Sequence, residues 1–142
     1  MHISEHYRDY PKKTLIVLVN HEHARILSAF EREVEEIVHL EEIPDLPEEG
    51  VPGTPSAVAA DIDATKKESR HVLYKRLEKK LTILLSDEHE AIILCAPEAK
   101  KNEIVEAMHP DVMNAVSDVV PKNLASLQLD QVIRILQEKR EV

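Results

Sequence analysis

The chain has few of the residues that carry disulfide or base-stacking chemistry. Of its 142 residues one is cysteine, none is tryptophan, and the aromatic residues are three tyrosines and one phenylalanine. A single cysteine cannot form an internal disulfide, so no oxidising compartment is required and we expect a cytoplasmic protein. The scarcity of aromatic rings argues against a stacking platform for single-stranded nucleic acid. The core must be mostly aliphatic.

Several diagnostic patterns are missing as well. No run of about 18 apolar residues is present, and the first ten residues lack the apolar core of a secretory signal, so we expect no membrane contact. A GxGxxG motif and a P-loop are absent, and the sequence predicts no cofactor. With 43% apolar and 32% charged residues, the composition is globular, and the length suits one domain over residues 1–142.

What the chain does have is one segment rich in turn-forming residues. Both glycines and four of the eight prolines lie in residues 44–55, which predicts an irregular loop over 44–64. Charge changes sign across it. Residues 31–49 hold nine acids and one base, a net of −8, and residues 66–80 hold seven bases and two acids, a net of +5. These are either two solvated faces that attract each other or an acidic region beside a local phosphate-binding surface.

The apolar pattern predicts five strands. Residues 14–19 form a continuous β-branched and leucine-rich run, typical of a central strand covered on both faces, after an N-terminal extension of residues 1–12. Residues 24–30 and 34–43 follow after short connections, which predicts an antiparallel meander ending in an acidic edge strand. Residues 91–95 and 115–120 predict the fourth and fifth strands.

Helical spacing predicts three helices. The first runs from a capping box at Thr65 and Glu68 to Leu85. Its expected inner face is Val72, Leu73, Leu77, Leu81, Leu84 and Leu85. The second covers residues 97–108, and the third follows a Ser126 cap with an inner face of Leu129, Val132, Ile133 and Leu136. The order βββαβαβα predicts an α/β domain with a five-stranded mixed sheet flanked by helices, in a ribonuclease-H-like arrangement.

Three stretches carry a resemblance to a known family. They are Leu-Ile-Val-Leu-Val-Asn at 15–20 with Ala-Arg-Ile-Leu at 24–27, Ala-Ile-Ile-Leu-Cys-Ala-Pro at 91–97, and Val-Val-Pro-Lys-Asn-Leu at 119–124. Over nearly the whole chain, the sequence resembles the middle domain of class-1 peptide-release factors. It is more closely similar to stand-alone bacterial and archaeal proteins built on that domain, many of them labelled host-attachment proteins.

The resemblance implies a function for the loop. In release factors this loop carries Gly-Gly-Gln, which acts at the ester joining peptide to transfer RNA, and a basic helix follows it. Here Gly50 and Gly53 are separated by Val51 and Pro52, and no glutamine occurs before Gln128, so the hydrolysis does not carry over. The basic helix keeps some of its character. The resulting candidate binding residues are Gly50, Gly53, Lys66, Lys67, Arg70 and Arg76.

Other constellations favour structural interpretations. Residues 21–23 are His-Glu-His, but no third ligand is evident in the sequence, so we expect an exposed polar turn and no metal. A two-metal nuclease needs carboxylates on strand ends, whereas Asn20 ends the first strand. Cys95 with His71 or His109 would make a nucleophile and base, yet a cysteine ending an apolar strand is usually core.

Two functions therefore remain open, with no catalytic residue assigned. The first is a non-catalytic module that contacts the ribosome, transfer RNA or a protein partner through the loop and the basic helix. The alternative is a hydrolase acting on a transfer-RNA or nucleotide ester from the same loop. The host-attachment label implies a surface role, for which the sequence has no export signal. A homo-oligomer is possible, and the acidic edge strand favours packing between helix faces over pairing of sheet edges.

Overall fold

Five strands and four helices make up the part of the chain that the computed structural model describes. That part covers residues 1–41 and 62–140, with side chains described for residues 1–41 and 70–139. The strands are β1 (Tyr10–Val19), β2 (His23–Glu31), β3 (Glu33–Glu41), β4 (Ala91–Cys95) and β5 (Val116–Val120). The helices are α1 (Ile62–Leu85), α2 (Lys101–Ala107), α3 (Pro110–Ala115) and α4 (Leu129–Arg140).

The strands form one mixed sheet in the order β3-β2-β1-β4-β5. β1 pairs antiparallel with β2 and parallel with β4, while β2–β3 is antiparallel and β4–β5 parallel. The predicted meander, the central first strand and the acidic edge strand are all confirmed. β1 lies in the centre because its residues from Leu15 to Val19 are fully buried and need cover on both faces.

Each face of the sheet has its own apolar layer. Helices α1, α2 and α3 cover one face, where Leu15, Val17 and Val19 of β1 point. The α4 helix and the N-terminal residues cover the other, where Ile16 and Leu18 point. This alternation is the period of two expected of a strand buried on both sides. The chain is a single α/β domain with helices on both faces of the sheet.

The helix boundaries differ from those that the sequence predicts. The α1 helix begins at Ile62, so Thr65 lies inside it and the predicted capping box is wrong, as is the loop end at residue 64. The α4 helix begins at Leu129 and not after Ser126. There the side-chain oxygen of Gln131 accepts a hydrogen bond from the backbone N–H of Gln128 at 3.1 Å, a capping contact that replaces the predicted serine cap.

A short helix that the sequence did not predict follows the second predicted helix. The α2 helix begins at Lys101 rather than at residue 97 and ends before Met108. A separate α3 then begins with Pro110 in its first turn, and His109 accepts a hydrogen bond from the N–H of Asp111. Proline lacks an N–H and cannot continue α2, but its fixed φ suits the first position of a new helix. The same residue therefore ends one helix and starts the next.

The N-terminal residues are part of the fold. Ile3 is 1% exposed, and its N–H donates to the carbonyl of Arg32 at 2.8 Å, while Val34 donates to the carbonyl of Met1 at the same distance. Gln137 of α4, also buried, exchanges two hydrogen bonds with the backbone of Arg8. β1 itself begins at Tyr10, four residues before the apolar run. The first residues thus cover the start of the edge strand β3 and pack beneath α4.

An ion pair with a buried arginine joins the sheet to the connection before α4. The Arg25 guanidinium contacts a carboxylate oxygen of Glu36 at 2.6 Å, and its Nη1 donates to the carbonyls of Ala125 and Leu127 at 3.1 and 2.6 Å. The arginine side chain is 10% exposed and that of Glu36 32%. A charged group so far removed from water is stable only while these partners remain.

We expect Arg25→Ala to lower the free energy of unfolding by about 3 kcal/mol, since it leaves a carboxylate and two carbonyls without their donor. Urea denaturation measures the change. The matched control is Arg134→Ala, because Arg134 is an exposed arginine on α4 and its loss should cost less than about 0.5 kcal/mol. Equal effects of the two substitutions would contradict a structural role for the ion pair.

Candidate functional site

The α1 helix presents a basic side to solvent because its other side is needed by the core. Leu73, Tyr74, Leu77 and Leu81 are each at most 1% exposed. This confirms most of the predicted inner face, although Val72, expected there, is 46% exposed. The bases of α1 must therefore lie toward solvent or toward the flanks of the helix. We call Lys75, Arg76, Lys79 and Lys80 the α1 basic patch.

Three bases of α1 contact its neighbours. Arg70 lies 3.3 Å from a carboxylate oxygen of Glu103 on α2, with 18% of its side chain exposed. Lys75 donates to the carbonyl of Ala107 at the end of α2, at 3.1 Å. Arg76 donates to the carbonyl of Glu41, the last residue of β3, at 3.3 Å. These contacts hold α1 against α2 on one flank and against β3 on the other.

Lys79 and Lys80 are the most available bases among those of α1 whose side chains the structure describes. Both are exposed, and neither has an ion pair or hydrogen bond with any described residue. Lys79 follows Lys75 by four positions and Lys80 follows Arg76 by four, so the patch consists of two pairs. Within each pair the Cβ atoms are about 5–6 Å apart. The candidate list drawn from the sequence omitted both lysines. Their i, i+4 spacing is the signal that would have found them.

Of the six predicted binding residues, Arg70 and Arg76 have side chains that the structure describes. Gly50 and Gly53 lie outside the described residues, as do the side chains of Lys66 and Lys67. Arg70 and Arg76 are six positions apart, which on an α-helix places them about 120° from each other. The contacts of the two arginines are consistent with this separation, since Arg70 reaches α2 and Arg76 reaches β3.

The acidic strand does not neutralise the basic helix within the described residues. Glu36 pairs with Arg25, and the Glu41 carboxylate lies 4.0 Å from His39. The contact that joins β3 to a base of α1 uses the carbonyl of Glu41 and not its carboxylate. Within the patch Lys75 lies 3.7 Å from a carboxylate oxygen of Glu78, whereas Lys79 and Lys80 have no carboxylate partner among the described residues.

Asn20 has a structural role at the end of β1. Its side-chain oxygen accepts from the N–H groups of Glu22 and His23 at 2.8 and 2.7 Å, which shapes the β1–β2 turn. Its amide nitrogen donates to the Asn123 side chain at 3.1 Å, joining that turn to the connection before α4. The polar groups of Asn20 are thus occupied by the fold.

Cys95 lies apart from the histidines considered as its partners. It is fully buried in the layer beneath α4, whereas His71 and His109 are exposed and belong to the helical layer of the opposite face. Burial, with a smaller effect from Asp118, raises the pKa of the Cys95 thiol to about 12. A protonated thiol in an apolar layer is not a nucleophile at neutral pH.

We expect Cys95 in the folded protein to react with DTNB at pH 8 only as fast as the protein unfolds. Since the folded thiol keeps its proton to about pH 12 and the unfolded thiol loses it near its ordinary pKa of 9.0, the free energy of unfolding should fall as pH rises above 9.0. In urea denaturation, the free energy of unfolding of the wild type should fall by about 1.4 kcal/mol per pH unit more than that of Cys95→Ala. Rapid labelling of the folded protein would show that the thiol is accessible.

Two other histidines have partners that the sequence did not reveal. His89 lies 2.9 Å from the Ser28 hydroxyl and 3.1 Å from the Leu84 carbonyl, so it joins the connection after α1 to the sheet. His39 of β3 lies 3.5 Å from His23 of β2.

Among the described helices, none is both long and apolar enough to cross a membrane.

Solved structures of translation factors share this arrangement of strands and helices. Dom34 of S. cerevisiae, a translation termination-like factor involved in RNA quality control, matches 91% of the chain with a TM-score of 0.52 and 12% identity. The archaeal translation termination factor aRF1 matches 94% with a TM-score of 0.55 and 16% identity. The fold is similar to that of release factors.

This likeness confirms the fold that the sequence resemblance implied. At such identities it shows the fold alone. The chain spans 34% of the length of the Dom34 chain and 40% of the aRF1 chain, so each of these proteins contains much that this chain does not match. No family model matches the chain, and no curated protein matches it either.

Proposed function

We propose that the chain is a non-catalytic binding module that contacts RNA of the translation apparatus, in the ribosome or in transfer RNA. The contact surface is the basic side of α1 together with residues 44–61 before it. The observation that carries the proposal is the α1 basic patch, which faces solvent in a fold similar to that of release factors. Work at the ribosome requires a cytoplasmic location, which the single, buried cysteine suits.

The charge distribution favours a local contact. A protein with a net charge of −9 is repelled by nucleic acid as a whole, so binding must depend on a surface where bases are concentrated. The four bases of the α1 basic patch, Lys75 to Lys80, lie within about 7.5 Å along the helix at 1.5 Å per residue. Such a patch can contact neighbouring phosphates of one RNA strand, and its affinity should fall with salt.

The described residues give no support to the hydrolase alternative. Cys95 is buried away from His71 and His109, and Asn20 is engaged in a turn. The remaining basis for catalysis is the segment holding Gly50 and Gly53, which lies outside the described residues and lacks Gly-Gly-Gln. Binding therefore has the stronger support.

Reversing charge on the free lysines should abolish most of the binding. We expect Lys79→Glu/Lys80→Glu to weaken co-sedimentation with 70S or 80S ribosomes by about tenfold or more at low salt, because it removes two phosphate contacts and adds two repulsions. Lys79 and Lys80 are better targets than Arg70 and Arg76, whose contacts with Glu103 and β3 also hold α1 in place.

The matched control is Arg134→Glu/Lys139→Glu on the exposed side of α4, which changes the net charge equally on the opposite face of the sheet. It should retain binding within about twofold. An equal loss in both variants would show that net charge alone matters. Wild-type protein that neither co-sediments with ribosomes nor binds transfer RNA in a gel-shift assay would overturn the translation proposal, and a protein partner would then be the remaining binding hypothesis.

Substitution in the preceding segment separates binding from catalysis. We expect Gly50→Ala/Gly53→Ala to weaken ribosome binding, because glycine allows a close approach of backbone to ligand that a Cβ atom prevents. The wild-type protein should release no peptide from peptidyl-transfer RNA above the buffer rate. Hydrolysis by the wild type that is lost in the double variant would favour the hydrolase and contradict a purely binding role.

A further inference from the structure

Two histidines and a glutamate meet where β2 begins and β3 ends. In the antiparallel register His23 lies opposite Glu41, and Arg25 lies opposite His39. Paired residues of neighbouring strands point to the same face, so His23, His39 and Glu41 share one face of this hairpin. One ligand atom from each of the three lies within 4.8 Å of the others.

The distances suit a tetrahedral metal better than a hydrogen-bonded pair. His39 Nε2 is 3.5 Å from His23 Nδ1, which is longer than the usual 2.7–3.2 Å of a hydrogen bond to nitrogen. Two ligands of tetrahedral Zn²⁺, each about 2.05 Å from the metal, are separated by about 3.4 Å. The Glu41 carboxylate oxygen is 4.0 Å from His39 Nε2, a gap that a small rotation of an exposed side chain closes.

A second carboxylate lies near the first histidine, and a side-chain rotation would bring it within hydrogen-bonding distance. Nδ1 of His23 faces His39, and the other ring nitrogen of His23, Nε2, lies 3.9 Å from Glu22 Oε2. Metal-binding histidines commonly donate their second N–H to a carboxylate, which fixes the ring and strengthens the ligand. The other oxygen of Glu22 lies 3.2 Å from His21 Nε2.

The charges around the cluster tolerate a cation. Arg25 is the neighbouring residue on this face, but its guanidinium is bound by Glu36 and by two carbonyls of the chain before α4. The three side chains are 33%, 45% and 68% exposed in the order His23, His39 and Glu41, so a metal reaches them from solvent without rearrangement of the core.

We propose that His23, His39 and Glu41 bind one divalent transition-metal ion, Zn²⁺ in preference, with Glu22 orienting His23 and water completing the tetrahedron. Two imidazoles and a carboxylate are a common Zn²⁺ ligand set. The metal fastens β2 to β3 at the residue where the chain leaves the sheet. The site replaces the expectation of an exposed polar turn without a metal, and it does not depend on the proposed function.

Titration of the untagged wild-type protein with ZnCl₂, followed by isothermal calorimetry, tests the proposal. We expect one equivalent to bind with a Kd on the order of micromolar, and His39→Gln and Glu41→Gln each to weaken binding by about tenfold or more. Glu22→Gln should weaken it less than either ligand substitution. Co²⁺ in place of Zn²⁺ should give the visible absorption of a tetrahedral complex, lost in His39→Gln.

The control is His6→Gln, since His6 is also exposed but lies outside the cluster. It should leave the Kd unchanged, and all variants should keep the wild-type thermal midpoint in the absence of metal. If His6→Gln weakens Zn²⁺ binding as much as His39→Gln does, the binding is adventitious surface binding and the proposed site is wrong. The absence of a saturable one-to-one isotherm in the wild type would overturn it as well.

Discussion

Strand β1 must be covered on both faces, and the rest of the architecture follows from that requirement. Five consecutive residues, 15–19, are fully buried and alternate between two apolar layers. One layer takes α1, α2 and α3, and the other takes α4 with the first residues of the chain. With both faces occupied, the surfaces that the described residues leave to a ligand are strand ends, the two sheet edges at β3 and β5, and the outer sides of helices. The two proposed sites lie in such places.

The sheet could be predicted from the sequence because its signals are long and repetitive. The apolar run at 15–19 and the short connections after it determine a central strand with antiparallel neighbours. Helix starts were predicted poorly, since each depends on one or two capping contacts. Gln131, which caps α4, is a residue that simple cap preferences do not select. Val72 was misplaced because the inner face of α1 is narrow and centres on Leu73 and Leu77.

The functional residues were harder to predict because their partners come from distant parts of the chain. A basic helix is visible in the sequence, but Glu103, which engages Arg70, lies 33 residues away on α2. His39 meets His23 only in a register that includes an irregularity between Ile26 and Leu27. A shift of one residue would move His39 to the other face of the sheet. Sequence spacing therefore identifies candidate residues, and register decides which of them meet.

The two proposed sites meet at the last residue of β3. The carbonyl of Glu41 accepts a hydrogen bond from Arg76 of the α1 basic patch. The carboxylate of Glu41 is a ligand of the proposed metal. A metal bound there would also fix the backbone carbonyl that holds Arg76 against β3, so metal binding and the position of the α1 basic patch would be coupled through this one residue.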